Sequence, residues 1–301
     1  MNLLTRGVAA VLCAGLVTLS ASSADPTLWL SQARTAIGGD VATGTVTALR
    51  IRGSKRRHLG SHDVDFSWEA YWQAPDKFVQ VDTQNMSMGP MGTMSTTRRS
   101  GFNGEEEIEH ILSDMPIPQA RRAPNALVPK HKRALAQLLL PLLASVDPLA
   151  GVAPFTVVTP DPSVAPRAGF DLVALAAPDG AHWHLWLDAT THLPAALSWM
   201  DNVIVSSSMT TTMSVTTTVR VPAGQVPPRT MLPPMLPPPQ ALAPGGGPAL
   251  VPYELTLTDY RTDKGVTWPR RITVTMDGAL WEEFRVNRYD VNPKINPRTF
   301  K

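Results

Sequence analysis

Cysteine is almost absent from this chain. Cys13 is the single one, and it sits inside the apolar run Gly7 to Leu19 near the start. That run follows the basic residue Arg6 and precedes the small residues Ser22-Ser23-Ala24. This is the layout of a secretory signal, so cleavage is expected ahead of Asp25. The alternative is an uncleaved anchor, but the run is short for a bilayer span. Leu12, directly before Cys13, is not the small residue that a lipidation box needs. After cleavage no thiol remains, which excludes disulfides, thiolate metal sites and a cysteine nucleophile. An exported protein without disulfides fits a bacterial periplasm.

Charge of one sign is also lacking. The formal net charge is +2, which leaves no electrostatic footprint for nucleic acid. The basic clusters Lys55-Arg56-Arg57 and Lys130-His131-Lys132-Arg133 are short, and each reads as a solvated loop or helix face. Local catalytic signatures are missing too. There is no Gly-x-Ser-x-Gly elbow, no His-Glu-x-x-His, no phosphate loop and no dinucleotide fingerprint. A cofactor-free binding protein is expected rather than an enzyme, although a triad gathered from distant residues leaves no local trace.

What is present is strand after strand. Tyr253 to Phe300 holds three alternating runs divided by Asp263-Lys264-Gly265 and Asp277-Gly278, an antiparallel meander with one apolar face. Val41 to Arg52 reads as a strand, followed by a basic loop. Asp63 to Trp72 alternates cleanly, with Val64, Phe66, Trp68, Ala70 and Trp72 on one face. Phe78 to Asp82 returns beyond the turn at Ala74 to Lys77. Arg98 to Ile111, Phe170 to Ala176, His182 to Leu187 and Ala195 to Met200 add further strands. Ser206 to Val221 is rich in Thr and reads as a long exposed strand.

Two helices are expected. Asp25 to Gly39 begins with a capping residue and a proline and ends at Gly38-Gly39. Asn125 to Val146 carries a broad leucine face that Pro141 should kink or divide. It reads either as a buried helix or as a lid. Pro222 to Pro252, dominated by Pro, Gly and Leu, reads as an inserted surface loop. The tally of roughly ten strands and two helices predicts a mainly β (α+β) fold: one curved antiparallel sheet with helices over its concave face.

Several constellations could carry metal chemistry. His182 and His184 share a strand face, with Trp183, Leu185 and Leu187 on the other, so the histidines belong to the solvated side. Met86, Met88, Met91 and Met94 form a spaced thioether run that would suit Cu(I). The favoured reading of the same run is flexible apolar contact, in a loop that meets lipid or a partner. Glu107 and His110 make one Glu-x-x-His, where a di-iron bundle needs two on helices. None of these is assigned as a metal site.

In order along the chain stand a helix ending in Gly38-Gly39, Leu49-Arg50-Ile51-Arg52-Gly53, and Tyr71-Trp72-Gln73-Ala74-Pro75-Asp76-Lys77-Phe78. Then come Gly101-Phe102-Asn103-Gly104, Leu185-Trp186-Leu187-Asp188, Thr191-His192-Leu193-Pro194, Asp259-Tyr260-Arg261 and Gly265-Val266-Thr267-Trp268-Pro269. Taken together this order resembles the LolA/LolB-like periplasmic lipoprotein-carrier superfamily, in particular its outer-membrane lipoprotein-sorting members. The resemblance implies an open half-barrel over residues 25–301, with an insertion at 222–252 after a signal peptide at 1–24. It implies an apolar cavity for lipid or lipoprotein acyl chains, with Phe66, Trp68, Trp72, Leu255, Leu257, Ile272 and Phe284 as the cavity-facing candidates. It implies no cofactor. Peripheral membrane contact and an envelope protein partner are further expectations. The insertion, and the lack of a matched arginine that latches the helical lid, depart from the family pattern.

Overall fold

The computed structural model describes residues 25–39, 46–60, 62–87, 89–114, 123–152, 154–202 and 250–301. The expected signal peptide, the Ser206 to Val221 strand and residues 222–249 of the insertion lie outside the described residues.

Helix α1 (Pro26–Ile37) starts where Asp25 accepts a hydrogen bond from the Thr27 amide and stops at Gly38. Its stripe Leu30, Ala33 and Ile37 is buried against β7 and β11, as the helical spacing requires.

Twelve strands follow one another through antiparallel pairs: β1 (Ala48–Leu59), β2 (His62–Gln73), β3 (Lys77–Ser87), β4 (Thr93–Asn103), β5 (Glu106–Ser113), β6 (Thr156–Val158), β7 (Phe170–Ala176), β8 (His182–Asp188), β9 (Pro194–Asn202), β10 (Leu250–Asp263), β11 (Val266–Met276) and β12 (Ala279–Val291). They form one sheet in the order β5-β4-β3-β2-β1-β12-β11-β10-β9-β8-β7-β6. Two meanders are thus joined where the first and last strands meet, and the sheet curls into an open half-barrel without closing. β10 begins at Leu250, so the last three residues of the predicted insertion, Leu250 to Pro252, are strand residues paired with Met200 to Asn202.

The second difference is in β1. The predicted basic loop at Lys55-Arg56-Arg57 is the middle of a strand. Each of its charges meets an opposite one: Lys55 with Asp82, Arg56 with Asp65, Arg57 with Glu282. Paired in this way, cations sit in a ladder without leaving bare charge in the sheet.

The inner face carries the main core. Trp183, Trp199 and Tyr253 form an aromatic row across β8, β9 and β10, with Trp199 stacked on Tyr253 at 5.7 Å. Trp268 stacks on Tyr289 at 4.7 Å. A smaller cluster of Val79, Ile108 and Phe300 lies on the opposite face, where the C-terminal turn Pro297–Phe300 folds back on the sheet. Arg99 ties that turn down by donating to the Thr299 carbonyl at 2.6 Å.

Helix α2 (Val128–Leu143) lies on the inner face against β3, β4 and β9. Pro141 sits in its final turn and does not divide it. So near the end, the proline displaces few helical hydrogen bonds, and the chain leaves through Ala144 in the left-handed region (φ 45). Among the described residues, no helix is long and apolar enough to cross a membrane.

Candidate functional site: a cleft between helix α2 and the sheet

Between α2 and the inner face lies an open cleft of about 1160 Å³. Its floor comes from alternate positions of central strands: Trp68 of β2, Leu255 of β10, Ile272 of β11 and Phe284 of β12. Leu138 faces it from the helix. The register explains the grouping, since Ile272 stands opposite Phe284 and Leu257. Trp68 meets Phe284 edge-on at 4.9 Å.

Of the cavity-facing candidates, Trp68, Leu255, Ile272 and Phe284 line this cleft. Trp72 and Leu257 are buried in the core alongside. Phe66 is half-buried and faces the Lys55 ammonium, 4.9 Å from its ring centre.

Lys55 is an unexpected buried cation beside Asp82, which lines the cleft. Its side chain is 0% exposed, and its Nζ lies 2.6 Å from Asp82 Oδ2. The approach is close in distance but off hydrogen-bond alignment, and Asp82 Oδ1 has no partner. Gln80 donates to Asp82 Oδ2 at 3.0 Å.

Ion pairs ring the cleft. Arg57 donates to Glu282 at 2.8 and 2.5 Å. Arg98 grips Glu109 with two bonds, at 2.8 and 3.3 Å. The roof is fastened on both sides. Lys132 reaches Glu105 at 2.5 Å, while Arg133 bonds both Asp201 oxygens at 2.9 and 3.0 Å and also reaches Asp179. Burial works against the Arg133 charge, but the bonds and charges of Asp201 and Asp179 outweigh it and raise its pKa. A fork that satisfies two carboxylates is geometry that lysine could not supply. The basic run Lys130 to Arg133, expected as a solvated helix face, therefore supplies both fastenings. The i, i+4 spacing of a helix could not reveal this, because Asp201 is far along the chain.

The N-terminal end of α2 has no side-chain cap of its own. Glu107 of β5 substitutes, accepting from the Leu127 amide at 2.9 Å, while Asn125 accepts from the Glu107 amide at 3.0 Å. On a strand, residues two apart share a face. Glu107 therefore stands with Glu109 and not with His110, and the partner it finds is His131 of α2. The three ligand atoms lie within 4.8 Å of one another. His131 is 8% exposed. Burial lowers its pKa, against the pull of Glu109 and Glu107.

A second, open depression of about 860 Å³ lies near the end of β9 and includes His182, His184, Arg167 and Met200. As the alternation required, Trp183, Leu185 and Leu187 are buried, while His182 is exposed and His184 half-buried. Burial first, then the neighbouring His182, lower the His184 pKa. Met86 and Met94 face each other across β3 and β4; the side chains of Met88 and Met91 lie outside the description.

This chain is similar to several solved structures. One is a LolA superfamily protein from Nitrosomonas europaea, at 8% identity and TM-score 0.42, covering 92% of this chain and 97% of that one. Another is a DUF1329 family protein from Desulfovibrio piger, at 9% identity and TM-score 0.44, covering 92% and 98%. No protein-family model matches the chain, and no curated protein does.

Proposed function

We propose that this chain is a carrier that holds a lipid, or the acyl chain of a lipoprotein, in the cleft under α2. The observation that carries this reading is the cleft itself: an apolar floor of Trp68, Leu255, Ile272 and Phe284 beneath a rim of paired charges. Pockets for drug-sized ligands are roughly 300–1,000 Å³, so a space of about 1160 Å³ suits a long occupant. Each methylene taken out of water is worth about 0.8 kcal/mol. Ten of them gain about 8 kcal/mol, against an association cost that begins near about 4 kcal/mol. A hydrocarbon tail can therefore be held without any covalent step, and binding rather than turnover is the activity. The rim charges give a polar headgroup neighbours at the open end. Export to the periplasm, with transient contact with a membrane or an envelope protein partner at loading and release, belongs to the same reading.

The test is lipid extraction from gently purified protein, read by mass spectrometry, together with uptake of a fluorescent fatty acid. Saturable uptake is expected, and Leu138→Trp and Val274→Trp, which fill the cleft from roof and floor, should abolish it while melting cooperatively. A native protein that carries no lipid and shows no saturable uptake would sink the proposal.

A further inference from the structure

We propose that Glu107, Glu109 and His131 form a binding site for a first-row divalent cation of the zinc type, at the edge of the cleft where α2 meets β5. The site is independent of the carrier reading and stands whether or not the cleft holds lipid.

Two elements far apart in sequence build it. β5 presents Glu107 and Glu109 from one face, and the first turn of α2 brings His131 close to both. The helix is held in that position by the Glu107 bond to the Leu127 amide and by Lys132 on Glu105. The ligand atoms lie within 4.8 Å of one another. Zinc bonds of about 2.0–2.1 Å in a tetrahedron put ligand atoms about 3.3 Å apart. Side-chain rotation of Glu109, and of Glu107 about an Oε2 that keeps the Leu127 amide bond, is the adjustment that the site requires.

The second observation is His131 itself. It is more than nine-tenths buried, and its Nε2 has no hydrogen-bond partner. One of its ring nitrogens lies within 4.8 Å of an oxygen of each carboxylate, so a buried imidazole stands beside two acceptors that leave Nε2 unsatisfied. A cation between the three would satisfy all of them at once. One imidazole with two carboxylates is a donor set for zinc or its neighbours rather than for Cu(I), which prefers thioethers. Three protein ligands leave a coordination position open, and all three residues line the cleft. That position would take water or an anionic oxygen of an occupant.

Arg98 is the competitor. Its guanidinium now balances Glu109 through two bonds, so a metal ion must displace it. This gives the site an unusual signature, because removing a cation should tighten metal binding.

The experiment is equilibrium dialysis of the full chain against Zn²⁺, with metal quantified by mass spectrometry, and Co²⁺ absorption as a reporter of tetrahedral coordination. One Zn²⁺ per chain is expected. His131→Ala and Glu107→Gln should each weaken binding by about tenfold or more. Arg98→Gln should strengthen it, a result that misfolding could not produce. The double variant His182→Ala, His184→Ala should leave it unchanged. No stoichiometric uptake by the parent protein overturns the proposal. So does uptake that survives His131→Ala but is lost in the His182/His184 variant, or an Arg98→Gln protein that binds zinc more weakly.

Discussion

Lys55 Nζ stands 2.6 Å from Asp82 Oδ2 on the inner face of the sheet, over the ring of Phe66, with Phe66 and Phe284 as its register partners on the two neighbouring strands. Two charges in this setting cost several kcal/mol each to desolvate, and their mutual attraction offsets that only while both are present. Lys55→Met alone, or Asp82→Leu alone, should therefore destabilise the protein by about 3–5 kcal/mol. The double variant Lys55→Met, Asp82→Leu should recover most of the loss. Urea unfolding of the four proteins measures the coupling; additive single losses would show that the pair acts as two independent charges.

Arg133 is the fastening of α2 to β9. Arg133→Met keeps the aliphatic stem over the cleft and removes the fork to Asp201 and Asp179. Hydrogen exchange in Val128–Leu143 should then quicken, while exchange in β1 to β3 keeps its protection. Equal acceleration in both regions would mean that the bond supports the whole fold and not the roof.

Gly53 lies where the register between β1 and β12 shifts. A Cβ there would stand 2.1 Å from the Arg285 carbonyl oxygen, so backbone and not a flexible side chain blocks it. Gly53→Ala should cost about 3 kcal/mol, at the upper end of what overpacking usually does. A melting temperature unchanged from the parent would show that the two strands can separate locally at no cost.

His184 carries a pH dependence whose sign follows from its surroundings. Burial and His182 lower its pKa, Asp161 opposes them, and Arg167 adds to the lowering. An unfolded histidine titrates near about 6.5. Between the two values the unfolded chain binds the extra proton, so this contribution is fully present above about 6.5 and is lost as pH falls. The urea midpoint should drop between pH 7.5 and 5.5 by less in His184→Gln than in the parent. Parallel drops would remove His184 from the account.

Much of the sheet was legible because its signals are local. The alternation of Val64 to Trp72 and of His182 to Leu187 named the buried faces correctly, and Asp277-Gly278 marked its hairpin. The Asp25 cap and the Gly38 stop were equally local. The run Lys55-Arg56-Arg57 was misread as a loop for the opposite reason. A charged triplet looks solvated until its partners are known, and Asp82, Asp65 and Glu282 come from three different strands. The floor of the cleft was readable in part: Trp68 and Phe284 lie on apolar faces, but which of those faces meet a space and which meet a core depends on where α2 rests.

From the chain alone came most of the elements: the main strands, the turns between them, the Asp25 cap, and the side of each alternating strand that avoids water. These depend on neighbours a few positions away, through the period of the backbone. The tertiary structure decided what meets across that framework. It set β1 beside β12, turned Lys55 toward Asp82, hung α2 between Glu105 and Asp201, and brought His131 to Glu107 and Glu109. Contacts of that kind rest on sheet register and helix placement, and those follow from the summed packing of residues hundreds of positions apart, which no local pattern encodes.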